Sequence, residues 1–393
     1  MVKNLDKYKV AYILTPVEFG GSEQVSLNFL RHFQRDGFQI YPILLCRPWE
    51  SDNIFINNLK DMGVNYSIIP TRMKPKDQGN DYFRLLRCGR AIYRELKNER
   101  FDLVHTNGYF ADILGLLSAK LLKIPVISTC HGFISNDIKL SLYNRLDILS
   151  LGFMNQIITV SEKIKNDLIG KGIRHSKIQV IQNAVELRPD NTEIQRLREM
   201  TRSHFNIKEE EILIGYVGRL SKEKGIKYLI ESGAGLYKAG IRFRMLIIGE
   251  GPQKQEIVDY VERYKLEKVV IFAGFQEKIS DILPALDLFV LPSLTEGTSM
   301  ALLEAMAFGL PVIATAVGGT TKVVSSEKNG MLVPSKSTEA IEQTVIKLME
   351  DPFLMKQLGA AAIKTIESDY SIQNWIGKFD DLYSTIILQR NKH

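Results

Sequence analysis

Cysteine is scarce in this chain: Cys46, Cys88 and Cys130 are the only three in 393 residues. Their odd number, their wide spacing and the lack of any Cys-x-x-Cys or neighbouring His exclude a disulfide framework and a zinc site, and make a reducing cytoplasm the expected compartment. Long apolar runs are missing as well. A bilayer span needs roughly 18–20 apolar residues, and Ile282 to Leu294 is broken by Pro284, Asp287 and Pro292. The N-terminal run Val10 to Leu14 falls short of the apolar core of a secretion signal, so none is expected. There is no Asp-x-Asp triplet to hold Mg²⁺ or Mn²⁺, and no metal site is expected. No complete Gly-x-Gly-x-x-Gly turn with a downstream ribose carboxylate is present, which counts against a nicotinamide dehydrogenase. Internal repeats and low-complexity tracts are absent, and nucleic acid is not an expected partner.

The chain does have length and an ordinary globular composition, with 45% hydrophobic and 24% charged residues. That length suits two domains of roughly 150–200 residues, each able to bury a core. The net charge of +6 is uneven, because residues 1–190 hold 26 Lys and Arg against 19 Asp and Glu. Much of the surplus falls between Arg72 and Arg100. Helical periodicity there gathers Arg84, Arg87, Arg90, Arg94 and Lys97 on one side and Leu85, Ile92, Tyr93 and Leu96 on the other. Such a strip is either the solvated face of a packed helix or a contact for anionic membrane.

Short β-rich apolar runs alternate with amphipathic stretches: Val10–Thr15 then Glu23–Asp36, Ile40–Cys46 then Asn53–Met62, Leu103–His105 then Ala111–Leu122, then Val126–Cys130. The alternation resumes with Ile157–Val160 and Ile178–Gln182. It continues with Ile212–Val217, Lys227–Ala239, Arg244–Gly249, Lys254–Tyr264, Val269–Ala273, Leu288–Pro292, Leu302–Phe308 and Val312–Ala314. Strand, helix, strand implies parallel sheets, so the fold class is α/β with two doubly wound halves. The polar, Pro-containing break near Asn183 to Asn191 sets the expected domains at 1–185 and 186–371, with a C-terminal helix over 372–393 packing back on the first.

Parallel sheets carry ligands at the C-terminal ends of their strands, so the loops that follow strands carry the chemical content. After the first strand, Phe19-Gly20-Gly21-Ser22-Glu23 opens a helix whose free N–H groups suit an anion, or else forms a simple tight turn. Gly218-Arg219-Leu220-Ser221-Lys222-Glu223-Lys224-Gly225 puts an Arg fork and a Lys point charge in one glycine turn. That pairing fits a diphosphate, although a solvated charged loop would read alike. Further on, Glu296-Gly297-Thr298-Ser299-Met300-Ala301 leads into a helix carrying Glu304 among Leu302, Leu303, Ala305 and Met306. Free N–H groups of Gly297 to Ala301 would face a phosphate. A carboxylate in such apolar company needs a partner or ligand hydroxyls.

Over nearly its whole length the chain resembles the family 4 glycosyltransferases, which have the GT-B fold of two Rossmann-like domains facing each other across a cleft. The matching stretches are Gly20-Gly21-x-Glu23, Asp102-Leu103-Val104-His105, His131-Gly132-Phe133, Ile181-Gln182-Asn183-Ala184-Val185, Gly218-Arg219-x5-Gly225 and Gly249-Glu250-Gly251-Pro252. They continue with Pro292-Ser293, Glu296-x7-Glu304 and Gly309-x-Pro311-Val312-Ile313-Ala314-Thr315, then Gly318-Gly319 and Asn329-Gly330-x-Leu332-Val333.

The resemblance implies transfer of a sugar, with retention and without metal, from a UDP- or GDP-sugar to a glycan or lipid-linked saccharide, in surface polysaccharide synthesis at the cytoplasmic face of a membrane. It implies that Arg219 and Lys224 hold the donor diphosphate, that Glu304 holds the ribose and that Glu296 faces the sugar. Gly20, Gly218, Glu250, Gly251, Gly297, Thr298, Ser299, Met300 and Ala301 would complete the donor site. Gly21, Asn107 and His131 fall on the acceptor side, Gly21 also belonging to the donor site near the phosphates, and His131 would reach the transferring sugar.

The chain departs from the family pattern at Asn183-Ala184-Val185-Glu186, where Asn-Gly-Val-Asp is usual. It departs again at Lys322, where a Glu is common, and at Thr298-Ser299-Met300. The rival readings are a GT-B-like nucleotide-sugar epimerase, which would need no acceptor, and a non-catalytic nucleotide- or glycan-binding module.

Overall fold

The apolar runs of the first half form strands, and the amphipathic stretches between them form covering helices. In the computed structural model the described residues are 8–16, 20–33, 37–50, 53–72, 83–132 and 138–390. The chain divides into two units, Met1–Gln182 with Gln373–His393, and Asn183–Ile372.

The first unit runs β1 (Tyr8–Leu14), α1 (Gly21–His32), β2 (Phe38–Cys46), α2 (Ile54–Asp61), β3 (Ser67–Pro70), α3 (Arg84–Glu99), β4 (Leu103–Asn107) and α4 (Tyr109–Leu121). It continues with β5 (Val126–Cys130), α5 (Ile138–Gly152), β6 (Gln156–Thr159), α6 (Glu162–Gly170) and β7 (Ile178–Val180). Its sheet has the order β3-β2-β1-β4-β5-β6-β7, parallel throughout. The order reverses between β1 and β4, where a doubly wound sheet opens a crevice for a ligand.

The second unit runs α7 (Asn191–His204), β8 (Ile212–Val217), α8 (Ile226–Lys238), β9 (Phe243–Ile248), α9 (Lys254–Arg263), β10 (Val270–Gly274) and β11 (Leu288–Leu291). There follow α10 (Met300–Ala307), β12 (Val312–Thr315), α11 (Thr320–Val323), β13 (Met331–Val333), α12 (Thr338–Glu350) and α13 (Pro352–Asp369). Its parallel sheet has the order β10-β9-β8-β11-β12-β13, with the reversal between β8 and β11. The last helix, α14 (Ile372–Arg390), belongs mainly to the first unit.

Strand residues are buried on both faces, as they must be when helices cover both sides of a parallel sheet: the neighbours Val126 and Ile127 in one unit, Leu246 and Ile247 in the other. Two of the polar clusters set in this packing are satisfied. His105 in β4 is hydrogen-bonded through Nδ1 to Tyr383 Oη at 2.5 Å and through Nε2 to Thr129 Oγ1 at 2.8 Å. Burial lowers its pKa to about 3, so the ring is neutral. In the second unit Asp287 accepts from Arg198 at 2.6 Å, Arg202 at 3.1 Å and the Leu213 N–H at 2.7 Å, which pins α7 to the sheet.

The helix expected around Arg84 to Lys97 is α3, and its buried face is the expected one over the later turns only. Cys88, Ile92 and Leu96 enter the core at four-residue spacing, whereas Leu85, expected beside them, is 40% exposed. Leu85 sits a turn earlier, outside the apolar cluster those three join. Arg84 is half-buried and donates to Tyr143 Oη at 2.8 Å, so it does not stand on a solvated strip. Phe19, Phe133 and the 73–82 part of the basic segment lie outside the described residues.

Candidate functional site

In the second unit the loops at the C-terminal ends of β8, β9, β11 and β12 are tied together by backbone hydrogen bonds. Gly218 N donates to Ile248 O at 3.0 Å, Leu220 N to Glu250 O at 2.9 Å, Leu294 N to Glu223 O at 2.7 Å and Gly319 N to Glu296 O at 3.1 Å. Two glycines permit this approach. A Cβ at Gly249, whose φ is +133°, would lie 2.0 Å from the Gly218 carbonyl oxygen. A Cβ at Gly318, whose φ is +50°, would lie 1.9 Å from that of Glu296.

Gly218, Arg219, Lys224, Glu250, Gly251 and Glu296 therefore share one edge of the sheet at its switch point. Arg219 is exposed, and its backbone carbonyl accepts from Tyr216 Oη at 3.1 Å. Lys224 meets Glu296, with Nζ 2.7 Å from Oε1 and 2.9 Å from Oε2. Glu296 is only 9% exposed, and this cation supplies the counter-charge its burial requires. Glu250 is exposed and paired with Lys254 at 2.7 Å.

Gly297, Thr298 and Ser299 lead into α10, which begins at Met300. The Ser299 hydroxyl caps it, accepting from Leu302 N at 3.4 Å, so one of its first N–H groups is already engaged. Glu296 stands just ahead of the helix, with the Gly297 bend and the Ser299 cap between them.

Met300 is buried, Ala301 and Glu304 are half-buried, and no described residue pairs with the Glu304 carboxylate. Burial raises Glu304 to about 7, with the charge of Glu186 adding to the effect. The Glu186 that departs from the family pattern is therefore electrostatically linked to the candidate ribose-binding carboxylate. Lys322, the other charged departure, is exposed on α11.

In the first unit an open cavity of about 590 Å³ lies beyond β1, β4 and β5. Asn107 and His131 line it, as do Glu23 and Asp112. Gly20 caps α1 and Gly21 begins it; both are exposed beside Ser22 and Glu23 of the cavity wall. Asn107 donates to Tyr12 Oη at 3.1 Å and to Ser26 Oγ at 3.0 Å. His131 Nε2 is buried without a hydrogen-bond partner among the described residues, and burial lowers its pKa to about 4. A neutral imidazole with an unused nitrogen can donate or accept one hydrogen bond from a ligand.

The sequence motifs pointed to neither Asp112 and Asp147 nor Arg47, Arg72 and Arg84, all of which face this cavity. Only Asp112 carried a local signal, an acid set in the apolar run from Ala111 to Leu117. Among the described residues no group of three His, Cys, Asp or Glu is arranged to hold a metal ion, and no helix is long and apolar enough to cross a membrane.

The sequence pattern of Glycosyltransferase Family 4 matches residues 19–188, and that of Glycosyl transferases group 1 matches residues 198–365. The chain is 26% identical to the Escherichia coli UDP-Gal:alpha-D-GlcNAc-diphosphoundecaprenol alpha-1,3-galactosyltransferase, over 98% of each protein. It is 27% identical to the capsular polysaccharide biosynthesis glycosyltransferase CapM of Staphylococcus aureus, covering 76% of this chain and 83% of the relative. Among solved structures, Anabaena HepE in complex with UDP-glucose superposes with a TM-score of 0.81 at 19% identity, covering 96% of this chain and 99% of that one. The two parallel sheets, the glycine-tied edge of the second and these likenesses have one conclusion: the chain is a glycosyltransferase of family 4 with the GT-B fold.

Proposed function

We propose that the second unit, residues 183–372, binds a nucleoside-diphosphate sugar, and that the first, residues 1–182 with 373–393, receives a glycan or lipid-linked saccharide acceptor in the synthesis of a surface polysaccharide. The observation that carries the donor assignment is the convergence of Arg219, Lys224 and Glu296 on one sheet edge, with Glu304 on the helix that follows. Arg219 and Lys224 supply positive charge for the diphosphate, Glu304 accepts ribose hydroxyls, and Glu296 faces the sugar while fixing Lys224. The named donor and acceptor of the Escherichia coli relative, UDP-Gal and a GlcNAc-diphosphoundecaprenol, support a UDP-sugar and a lipid-linked acceptor.

The reaction we propose retains anomeric configuration and uses no metal. The acceptor hydroxyl attacks the anomeric carbon on the face the leaving group departs from. The new C–O bond forms as the bond to the diphosphate breaks, and a departing phosphate oxygen takes the hydroxyl proton. Arg219 and Lys224 stabilise the charge that builds on the diphosphate.

The place of action we propose is the cytoplasmic face of a membrane. Exposed Leu117 and Leu121 on α4, Leu149 on α5 and Phe153 in the turn after it are interspersed along the chain with exposed Lys120, Lys123 and Arg145, the mixture that binds anionic lipid. Flotation with anionic but not neutral liposomes is expected, and its absence would remove the membrane part alone.

The donor assignment is tested by thermal unfolding with UDP-, GDP- and ADP-sugars in the presence of a chelator. One nucleotide class should protect the wild type, and Arg219→Ala and Glu304→Ala should each abolish the protection. Failure of every nucleotide to shift the unfolding temperature would overturn the assignment.

A further inference from the structure

The first unit's cavity has an acidic wall that the proposed reaction leaves unused. Asp112 on α4 and Asp147 on α5 are 2% and 4% exposed and hydrogen-bond each other. Thr106 Oγ1 also donates to Asp112 Oδ1. Two carboxyls out of water and in contact cannot both ionise cheaply. Burial raises both carboxyls, and the charge of Asp112 raises Asp147 further, so one proton stays with the pair at neutral pH. A pair of this kind stabilises a fold less than apolar side chains of the same size would.

The pair has hydrogen-bonding capacity left over beside the cavity. Asp147 lines it, and its Oδ1 is buried with no hydrogen-bond partner among the described residues. Thr15 Oγ1 and His131 Nε2, on two other elements lining the same cavity, are in the same condition. Each such buried polar atom costs about 1–3 kcal/mol while it lacks a partner. Three of them around about 590 Å³, with Leu14, Leu45 and Phe110 as apolar wall, match a ligand that has hydroxyls at fixed spacing and apolar ring faces.

We propose that Asp147, held in place by Asp112, hydrogen-bonds a hydroxyl of the acceptor sugar in this cavity and so determines which hydroxyl pattern the enzyme accepts. This rests on the reading that the first unit takes the acceptor. In the arrangement Asp147 gives its proton toward Asp112 and leaves Oδ1 to accept from the sugar. An asparagine reproduces both contacts, its amide N–H₂ replacing the acid proton and its Oδ1 the acceptor. A leucine reproduces neither.

The other charged groups facing the cavity are Glu23 on α1, Arg47 and Glu50 after β2, Arg72 after β3 and Arg84 on α3, with the phenols of Tyr109 and Tyr143 beside them. Cys130, pushed up to about 12, and His131, lowered to about 4, keep their charge state between pH 7 and 10. All of these remain in an Asp147→Asn variant, which therefore isolates the acid pair.

The test uses the full chain and octyl glycosides of glucose, galactose, mannose and N-acetylglucosamine, with binding followed by calorimetry and by saturation-transfer NMR. Protection by UDP and GDP is measured on the same samples. Wild type should bind at least one glycoside, and Asp147→Leu should weaken that binding about tenfold or more while nucleotide protection is unchanged. Asp147→Asn should bind within about threefold of wild type at pH 7 and keep its affinity above pH 9, where the wild type loses its own.

Equal binding by wild type and the leucine variant, or parallel alkaline loss in wild type and the asparagine variant, would overturn the assignment of Asp147. Nucleotide protection without any glycoside binding to the wild type would overturn the proposal together with the acceptor reading of the cavity. Absence of nucleotide protection, with glycoside binding lost in the leucine variant, would strike the donor assignment and leave this proposal standing.

Discussion

Lys224 Nζ lies 2.7 Å and 2.9 Å from the two carboxylate oxygens of Glu296, a residue 72 positions further along the chain. The loop after β8 and the loop after β11 are thereby joined by charge as well as by backbone. Lys224→Met should strand a carboxylate that is 9% exposed, at a cost of about 2–3 kcal/mol, below the range for fully buried pairs because the lysine side chain is 22% exposed. Adding Glu296→Gln should recover most of that loss. Urea unfolding of both single variants and the double variant gives the coupling energy, and additive single effects would contradict the pairing.

Gly318→Ala should destabilise the protein by about 2 kcal/mol or more, since its φ of +50° disfavours any side chain and its Cβ would lie 1.9 Å from a carbonyl oxygen. The same change should weaken nucleotide binding, because the clash falls on the backbone of Glu296. A melting temperature within a degree of wild type would rule out the close approach.

Glu304 supplies a pH-dependent prediction. Its pKa rises from 4.5 to about 7 on folding, so the stabilisation carried by its protonated form is complete below pH 4.5 and disappears as pH climbs through 7. Glu304→Gln, neutral at every pH, should therefore match wild type near pH 4.5 and exceed it by roughly 3 kcal/mol at pH 9. Glu186→Gln should lower the folded-state pKa of Glu304, so that the loss ends at a lower pH and is smaller in total. Urea midpoints that differ by the same amount at both pH values would show that the Glu304 carboxyl is not perturbed.

Tyr383→Phe deletes the hydroxyl 2.5 Å from His105 Nδ1 and leaves a buried ring nitrogen without its partner, for a loss of about 1–3 kcal/mol. Since Tyr383 lies on α14 and His105 on β4, the variant should also speed hydrogen exchange in α14 more than in α8. Equal protection of the two helices in both proteins would show that the contact does not hold α14 down.

The α/β alternation and the glycine turns were legible in the sequence because they are local: a buried parallel strand is a continuous apolar run, and a loop that must approach another backbone needs glycine. Ile212–Val217 and Val126–Cys130 stand in the structure as strands with those same limits. β3 and β13, of four and three residues, left no readable run, and α7 is too polar for periodicity to mark.

By itself the sequence determined the fold class and family, and the loops that carry charged residues and glycines, since each rests on neighbours within a few positions. Tertiary structure alone decided that Lys224 pairs with Glu296, that Glu186 acts on Glu304, and that Asp112 meets Asp147 with His131 on the same cavity. Coulomb and desolvation energies depend on distance in space, and residues tens of positions apart acquire that distance only when the sheets assemble.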